Sequence, residues 1–161
     1  MKEKPMLSYT LALAIHALAT LAWVGGMIFA HLILRPAMAD MALPLRLALW
    51  RRVLPRFFAV VWGSIIALLL TGYGVLFLGY RGGFTGGAVH IDIMQITGLI
   101  MIANFIYLYF GPFQAFKRRV DTEDHVKAAG SLNRIRHIVA INLILGLFTT
   151  AIGATGTLWA Y

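Results

Sequence analysis

MLSYTLALAIHALATLAWVGGMIFAHLIL, residues 6–34, is an uninterrupted run without a charged side chain, closed by Arg35. At 1.5 Å per residue a helix of this length exceeds the roughly 30 Å of hydrocarbon in a bilayer. Three more such runs follow, at 57–80, 93–116 and 138–161, the first two of them stopped by Arg81 and Lys117. Helix is the structure expected, because unpaired backbone groups in lipid cost several kcal/mol each and the runs lack the alternation of a barrel strand. Composition agrees: 60% of the 161 residues are hydrophobic, 12% are charged, and the mean hydropathy is +0.81. A soluble domain of this size would spread its charges over a surface, whereas these are confined to short blocks. The expected fold is an all-α membrane protein, a four-transmembrane-helix bundle in one domain with spans at about 7–34, 57–80, 90–113 and 137–160.

Orientation follows from the basic residues, which short loops retain on the cytoplasmic side. Eleven of the fourteen lie in two loops, at about 35–56 and 114–136, and only Lys2, Lys4 and Arg81 lie opposite. Both termini and the glycine-rich loop at 79–87 are therefore expected to be periplasmic, in a multi-pass protein of a bacterial inner (plasma) membrane. The net charge of +8 reads as topology and anionic-lipid contact, and not as nucleic-acid binding, since the charges flank spans and build no groove-reading module. The first run is too long for a cleaved leader, whose apolar core spans about 7 to 15 residues. With no cysteine, disulfides, thiolate metal sites and covalent heme attachment are excluded.

The loops are small. PLRLALWRRVLPRFF, residues 44–58, reads as an amphipathic interfacial helix carrying Trp50. Asp121, Thr122, Glu123 and Asp124 read as a helix start, and 125–136 as a solvated link in which His125 faces water. The two Gly-Gly pairs of the outer loop lack a Walker lysine and read as a flexible turn.

Chemistry must then come from polar groups in or beside the bundle: His16, His31, His90, Asp92, Met94, Gln95 and His137. An intramembrane histidine is a functional hypothesis by default, because it needs a partner where apolar residues pack more cheaply. His16 shares a helix face with Thr20, Trp23 and Met27, and the Gly25-Gly26 pair beneath lets another helix or a flat ligand approach the backbone. Counted from the basic boundaries, His16 and His90 fall at similar depths, while His31 and His137 lie near the inner surface.

Two histidines at one level on different helices suit heme b, whose iron takes an imidazole on each face. His16 and His90 would be the axial ligands, with Trp23 and Gly26 lining the slot and His31 with His137 giving a second level. Copper competes: His90 and Met94 stand at i, i+4 on one face of the third helix, imidazole with thioether suits Cu(I), and His16 could supply a third donor. Equally, a bundle histidine can simply be bonded to another helix, a methionine can simply pack, and interfacial histidines usually bond headgroups or carbonyls. Asp92 reads as the partner of Arg81 or an N-terminal lysine.

HALATLAWVGGMIFAHLILRPA from His16, RLALWRRVLPRFFAVVWGSIIALLLTGYGV, HIDIMQITGLIMIANFIYLYFGPF and RIRHIVAINLILGLFTTAIG resemble the helices of the copper-resistance protein D family, in particular its short stand-alone members. Histidine and arginine would be expected there where Asp92 and His137 stand. The first helix is also similar to the HemJ type of protoporphyrinogen oxidase in His16, Trp23, Gly25 and Gly26. That resemblance implies heme b on His16 and His90, although the HemJ pattern has a lysine where this chain has Asp92 and Met94. Three functions stay open. One is electron transfer through heme b near the periplasmic side, with a quinol or a periplasmic redox protein as partner. The others are copper transport or resistance with a periplasmic copper-binding protein, and a cofactor-free subunit of a larger membrane complex. The spans hold no nucleophile with a base and no carboxylate pair, so whether the chain is an enzyme stays open too. Their lipid-facing surface suits a homo-oligomer.

Overall fold

The computed structural model describes residues 4–77 and 88–159; Arg81 and the whole glycine-rich loop lie outside the described residues. It bears out the all-helical expectation. Four segments are long and apolar enough to cross a bilayer, Leu7–Ala37, Leu43–Val75, Val89–Asp121 and His125–Thr155. Six α-helices build them: α1 (Lys4–Ile28), α2 (Arg35–Ala37), α3 (Leu43–Val75), α4 (Val89–Phe110), α5 (Pro112–Asp121) and α6 (His125–Thr155), followed by a 3₁₀ turn at Gly156–Leu158. A π-helical segment, Phe29–Leu34, joins α1 to α2. Pro36 accounts for it: the missing N–H and the ring's clash with the carbonyl four residues back disturb the α pattern, and Arg35 N–H donates to Ala30 O, five residues back.

The sequence marks where the charges begin, and the helices do not stop there. The expected interfacial helix at 44–58 is the start of α3, which runs on through Pro55 for 33 residues, about 50 Å at 1.5 Å per residue. The expected solvated link at 125–136 is likewise the first three turns of α6, with His125 half-buried. Asp124 caps that helix, accepting from the Lys127 backbone N–H at 3.1 Å and pairing with Lys127 Nζ at 2.9 Å. Asp121 instead ends α5 and meets the Arg51 guanidinium through two 3.2 Å hydrogen bonds. The break between α4 and α5 falls at Gly111, where a Cβ would stand 2.9 Å from Tyr107 O; Pro112 then opens α5 without an N–H to satisfy.

Packing follows two antiparallel pairs, α1 with α3 and α4 with α6, and α1 also lies against α6. Between α3 and α4 the space is bridged by rings: Trp62 and Phe58 meet Phe105 edge-on at 5.2 and 5.5 Å, and Phe58 meets Phe113 of α5 at 4.8 Å. This aromatic cluster, with Trp23 against Phe105, fills the half of the bundle toward the arginines, called here the basic end. The other end carries the chain termini.

Candidate functional site

The α4–α6 interface is a ladder of small and polar groups in one register. From the basic end outward, Asn104 donates to Asn142 Oδ1 at 3.0 Å, and Thr149 donates to Thr97 Oγ1 at 2.7 Å. Met94 then lies on Gly153, and His90 lies on Gly156. Residues gained along α6 and into the turn after it match those lost along α4 to within one, as antiparallel helices require. Asn142 also donates to Met101 O at 3.0 Å, so its amide is engaged on both sides in a setting where an unpaired amide is costly. Gly146, Gly153 and Gly156, spaced seven and three, form one face of the last helix, which lets α4 approach closely.

Those glycines are filled notches. A Cβ on Gly156 would fall 2.3 Å from His90 Cγ, and one on Gly153 would fall 3.0 Å from Met94 Cε and 3.3 Å from its sulfur. His90 is buried, with its ring edge-on to Trp159 at 6.2 Å. The i, i+4 pair therefore presents an imidazole and a thioether along one face of α4. Two turns further in, Met101 and Met27 close on Gly146 from α4 and α1.

His16 is half-buried and faces α3, with Nδ1 2.9 Å from Thr71 Oγ1. The single hydroxyl proton of Thr71 goes to Ala67 O at 2.6 Å, so the histidine donates from Nδ1. Its Nε2 then keeps the lone pair, the arrangement in which a neighbouring group fixes the tautomer of a ligating imidazole. The depth of His16 follows from α6. Val24 and Met27 meet Gly146; His16 lies eight and eleven residues outward of them, and Gly156, the seat of His90, lies ten outward of Gly146. The two histidines share a level to within a turn but turn to different partners, one to α3 and the other to the end of α6.

The same test decides how well a porphyrin fits. The flat group that Gly26 admits is the Phe57 ring of α3, 2.4 Å from where a Cβ would stand. Trp23 is only 3% exposed and packed on Phe105, while the notch at Gly72 holds the His16 ring itself. The notches at Gly26 and Gly72 that a heme slot would draw on are thus filled by the Phe57 and His16 rings. At the inner level, His137 is exposed and donates from Nδ1 to Asn133 O at 2.8 Å, one turn back on its own helix, whereas His31 lies in a cleft with Trp50 and Arg136. Asp92 is exposed on the first turn of α4, and its suggested partners Arg81 and Lys2 lie outside the described residues. Among the described residues no three His, Cys, Asp or Glu side chains cluster as a metal site.

Sequence reasoning named His16, His90 and Met94 but missed Thr71, Gly72, Gly153, Gly156 and Trp159, which hold them. The glycine spacing on the last helix was the available signal; nothing in the sequence pairs His16 with Thr71.

Fold and site together define a multi-pass, four-span membrane protein with its polar side chains lodged at helix contacts near the terminal end. The family model for copper resistance protein D matches residues 51–156, and the chain belongs to that family. The match takes in α4 to α6 and most of α3, with His90, Met94 and His137, and leaves out His16, Trp23, Gly26 and His31. No curated protein and no solved structure matches the chain.

Proposed function

We propose that the protein handles copper in the membrane, taking Cu(I) as cargo at the terminal end on His90 and Met94, with His16 at the same depth on the neighbouring α1–α3 contact. The carrying observation is that the imidazole of His90 and the thioether of Met94 lie on one helix face, against Gly156 and Gly153. A single ion needs no slot. Thioether sulfur selects the cuprous state over harder cations, and imidazole is compatible with it. Two neutral donors, with no clustered carboxylates, give a site that can load and release, which suits cargo better than a permanent centre. Met101 and Met27 continue the line of thioethers toward the basic end. Family membership supports the copper reading. Orientation fits it: the excess of Lys and Arg at the basic end supports a cytoplasmic basic end with both termini outside, so that copper would be met from the outer face.

The test is metal analysis of the detergent-purified protein beside a reduced-minus-oxidised absorption spectrum, after expression with both copper and heme supplied. Near-stoichiometric copper, reduced several-fold in His90→Ala, with no α-band, is the expected result. A sharp α-band with stoichiometric iron would contradict the proposal and restore heme b with electron transfer to or from a quinol. A protein with neither metal would leave a cofactor-free subunit.

A further inference from the structure

At the basic end a cleft opens between the π-helical segment of the first span, α3 and α6. Its walls are His31, Arg35, Trp50 and Arg136, and its floor is apolar, built from Leu54, Phe57, Leu132, Ile135 and Val139. Its enclosed space is only about 20 Å³, and the rest of the cleft is open to the surroundings.

Three features of this cleft bear on what it holds. First, Trp50 is only 4% exposed, yet its indole N–H has no hydrogen-bond partner among the described residues; the same holds for Nε of Arg46, one turn earlier, and Nε of Arg136. An orphaned buried donor costs about 1–3 kcal/mol, more when charged, so the two that line the cleft, on Trp50 and Arg136, point to an acceptor from outside. Second, Arg136 is half-buried over the Trp50 ring at 5.9 Å and is crowded by the positive charges of Arg35 and Arg46. None of the three forms an ion pair among the described residues, where the only two are Arg51–Asp121 and Lys127–Asp124. Like charges brought together without a counterion are stable only if one arrives. Third, the wall supplied by the first span is a π-helical turn, a distortion frequent at functional sites.

We infer that the cleft binds an anionic phospholipid, with the phosphate held by Arg136, Arg35 and the Trp50 N–H and an acyl chain on the apolar floor. Guanidinium groups bind phosphate oxygens through paired N–H donors. Tryptophan commonly sits at headgroup depth with its N–H toward the polar side. The floor selects an amphiphile over a small anion, and the converging positive charge selects an anionic headgroup over a zwitterionic one. Nothing in this assignment depends on the copper reading.

Native mass spectrometry of the full chain, released from detergent, tests it by separate titration with dioleoylphosphatidylglycerol, dioleoylphosphatidylcholine and inorganic phosphate. One phosphatidylglycerol should be retained at about tenfold lower concentration than phosphatidylcholine, since a hydrogen bond to a charged group is worth about 1.5–3 kcal/mol. Arg136→Gln should abolish that preference. Trp50→Phe, which keeps the ring and removes only the N–H, should weaken retention about fivefold. Arg118→Gln, the same charge change on an exposed face of α5, should leave it unaltered. Equal retention of the two lipids, or an equal loss in Arg118→Gln, would overturn the site. Displacement of the lipid by inorganic phosphate would overturn the lipid assignment in favour of a free anion.

Discussion

The two ends of the bundle are held together by opposite means. At the terminal end the helices close on glycine: His90 on Gly156, Met94 on Gly153, and His16 on Gly72 beside Thr71. At the basic end they are kept apart by large rings, Phe58, Trp62, Phe105, Tyr109 and Phe113, and tied at the surface by Arg51 and Asp121. In lipid, helix association gains little from burying apolar surface, because the tails are equally apolar, and depends on close packing and interhelical hydrogen bonds. Small-residue contacts provide both at the terminal end and bring donor side chains to fixed places. Ring packing provides bulk at the basic end, where the helices extend past the hydrocarbon.

Removing a ring should have the largest effect. Phe58 is 1% exposed and meets aromatic neighbours on two other helices, Phe105 and Tyr109 of α4 and Phe113 of α5; Phe58→Ala should cost about 3–4 kcal/mol, the usual range for a cavity of that size. Detergent-resistant unfolding by denaturant would read it, and a cost under about 1 kcal/mol would mean that the rings do not hold the basic end. At the other end an added methyl should suffice. Gly156→Ala places its Cβ 2.3 Å from Cγ and 2.5 Å from Cβ of His90, atoms near the backbone that cannot swing away, and should cost about 2 kcal/mol as overpacking. Gly63→Ala is the control, since a Cβ there meets nothing within 4 Å; equal effects from the two would dissolve the distinction between notch and lipid-facing glycine.

The hydrogen-bonded part of the terminal half is the next test. Asn142→Leu removes the acceptor of Asn104 and the donor to Met101 O, and should cost about 1 kcal/mol, in line with interhelical hydrogen bonds in membranes. Arg51→Ala should cost about 0.5 kcal/mol or less, because that pair is half in water, and high salt should mask the loss. The smallest effect is a pH dependence at the start of α6. The side-chain hydrogen bond with Lys127, then the backbone one, holds the Asp124 carboxyl below its usual range. A carboxyl lowered by folding contributes stability that is present above its unfolded pKa and fades as pH falls through the lower folded value. Amide protection of the first turn of α6 should therefore hold through mildly acid pH and drop only below the ordinary carboxylate range; Asp124→Asn should remove the drop.

The four spans were legible because lipid tolerates only long apolar helices, and the run at 6–34 alone established the class. The ends of the helices were not, because charge records where water begins while backbone hydrogen bonding decides where a helix stops. Arg46 to Arg56 lie within α3, and His125 to Arg136 lie within α6, for that reason. At the site, residue type and spacing singled out His16, His90 and Met94 and put the two histidines at a common depth. Which way each ring turns was beyond the sequence, since it depends on notches in other helices: Gly72 takes His16, and Gly156 takes His90. Gly26 shows the same limit. Its small side chain announces a close approach, and only the fold says that Phe57 makes it.

The most direct test of the copper assignment is Cu K-edge absorption on the purified protein loaded anaerobically with Cu(I), compared with Met94→Leu. The account predicts nitrogen scattering from imidazole together with one sulfur in the native protein, and loss of the sulfur alone in the variant. Copper bound without any sulfur, or a sulfur signal unchanged in Met94→Leu, would contradict it.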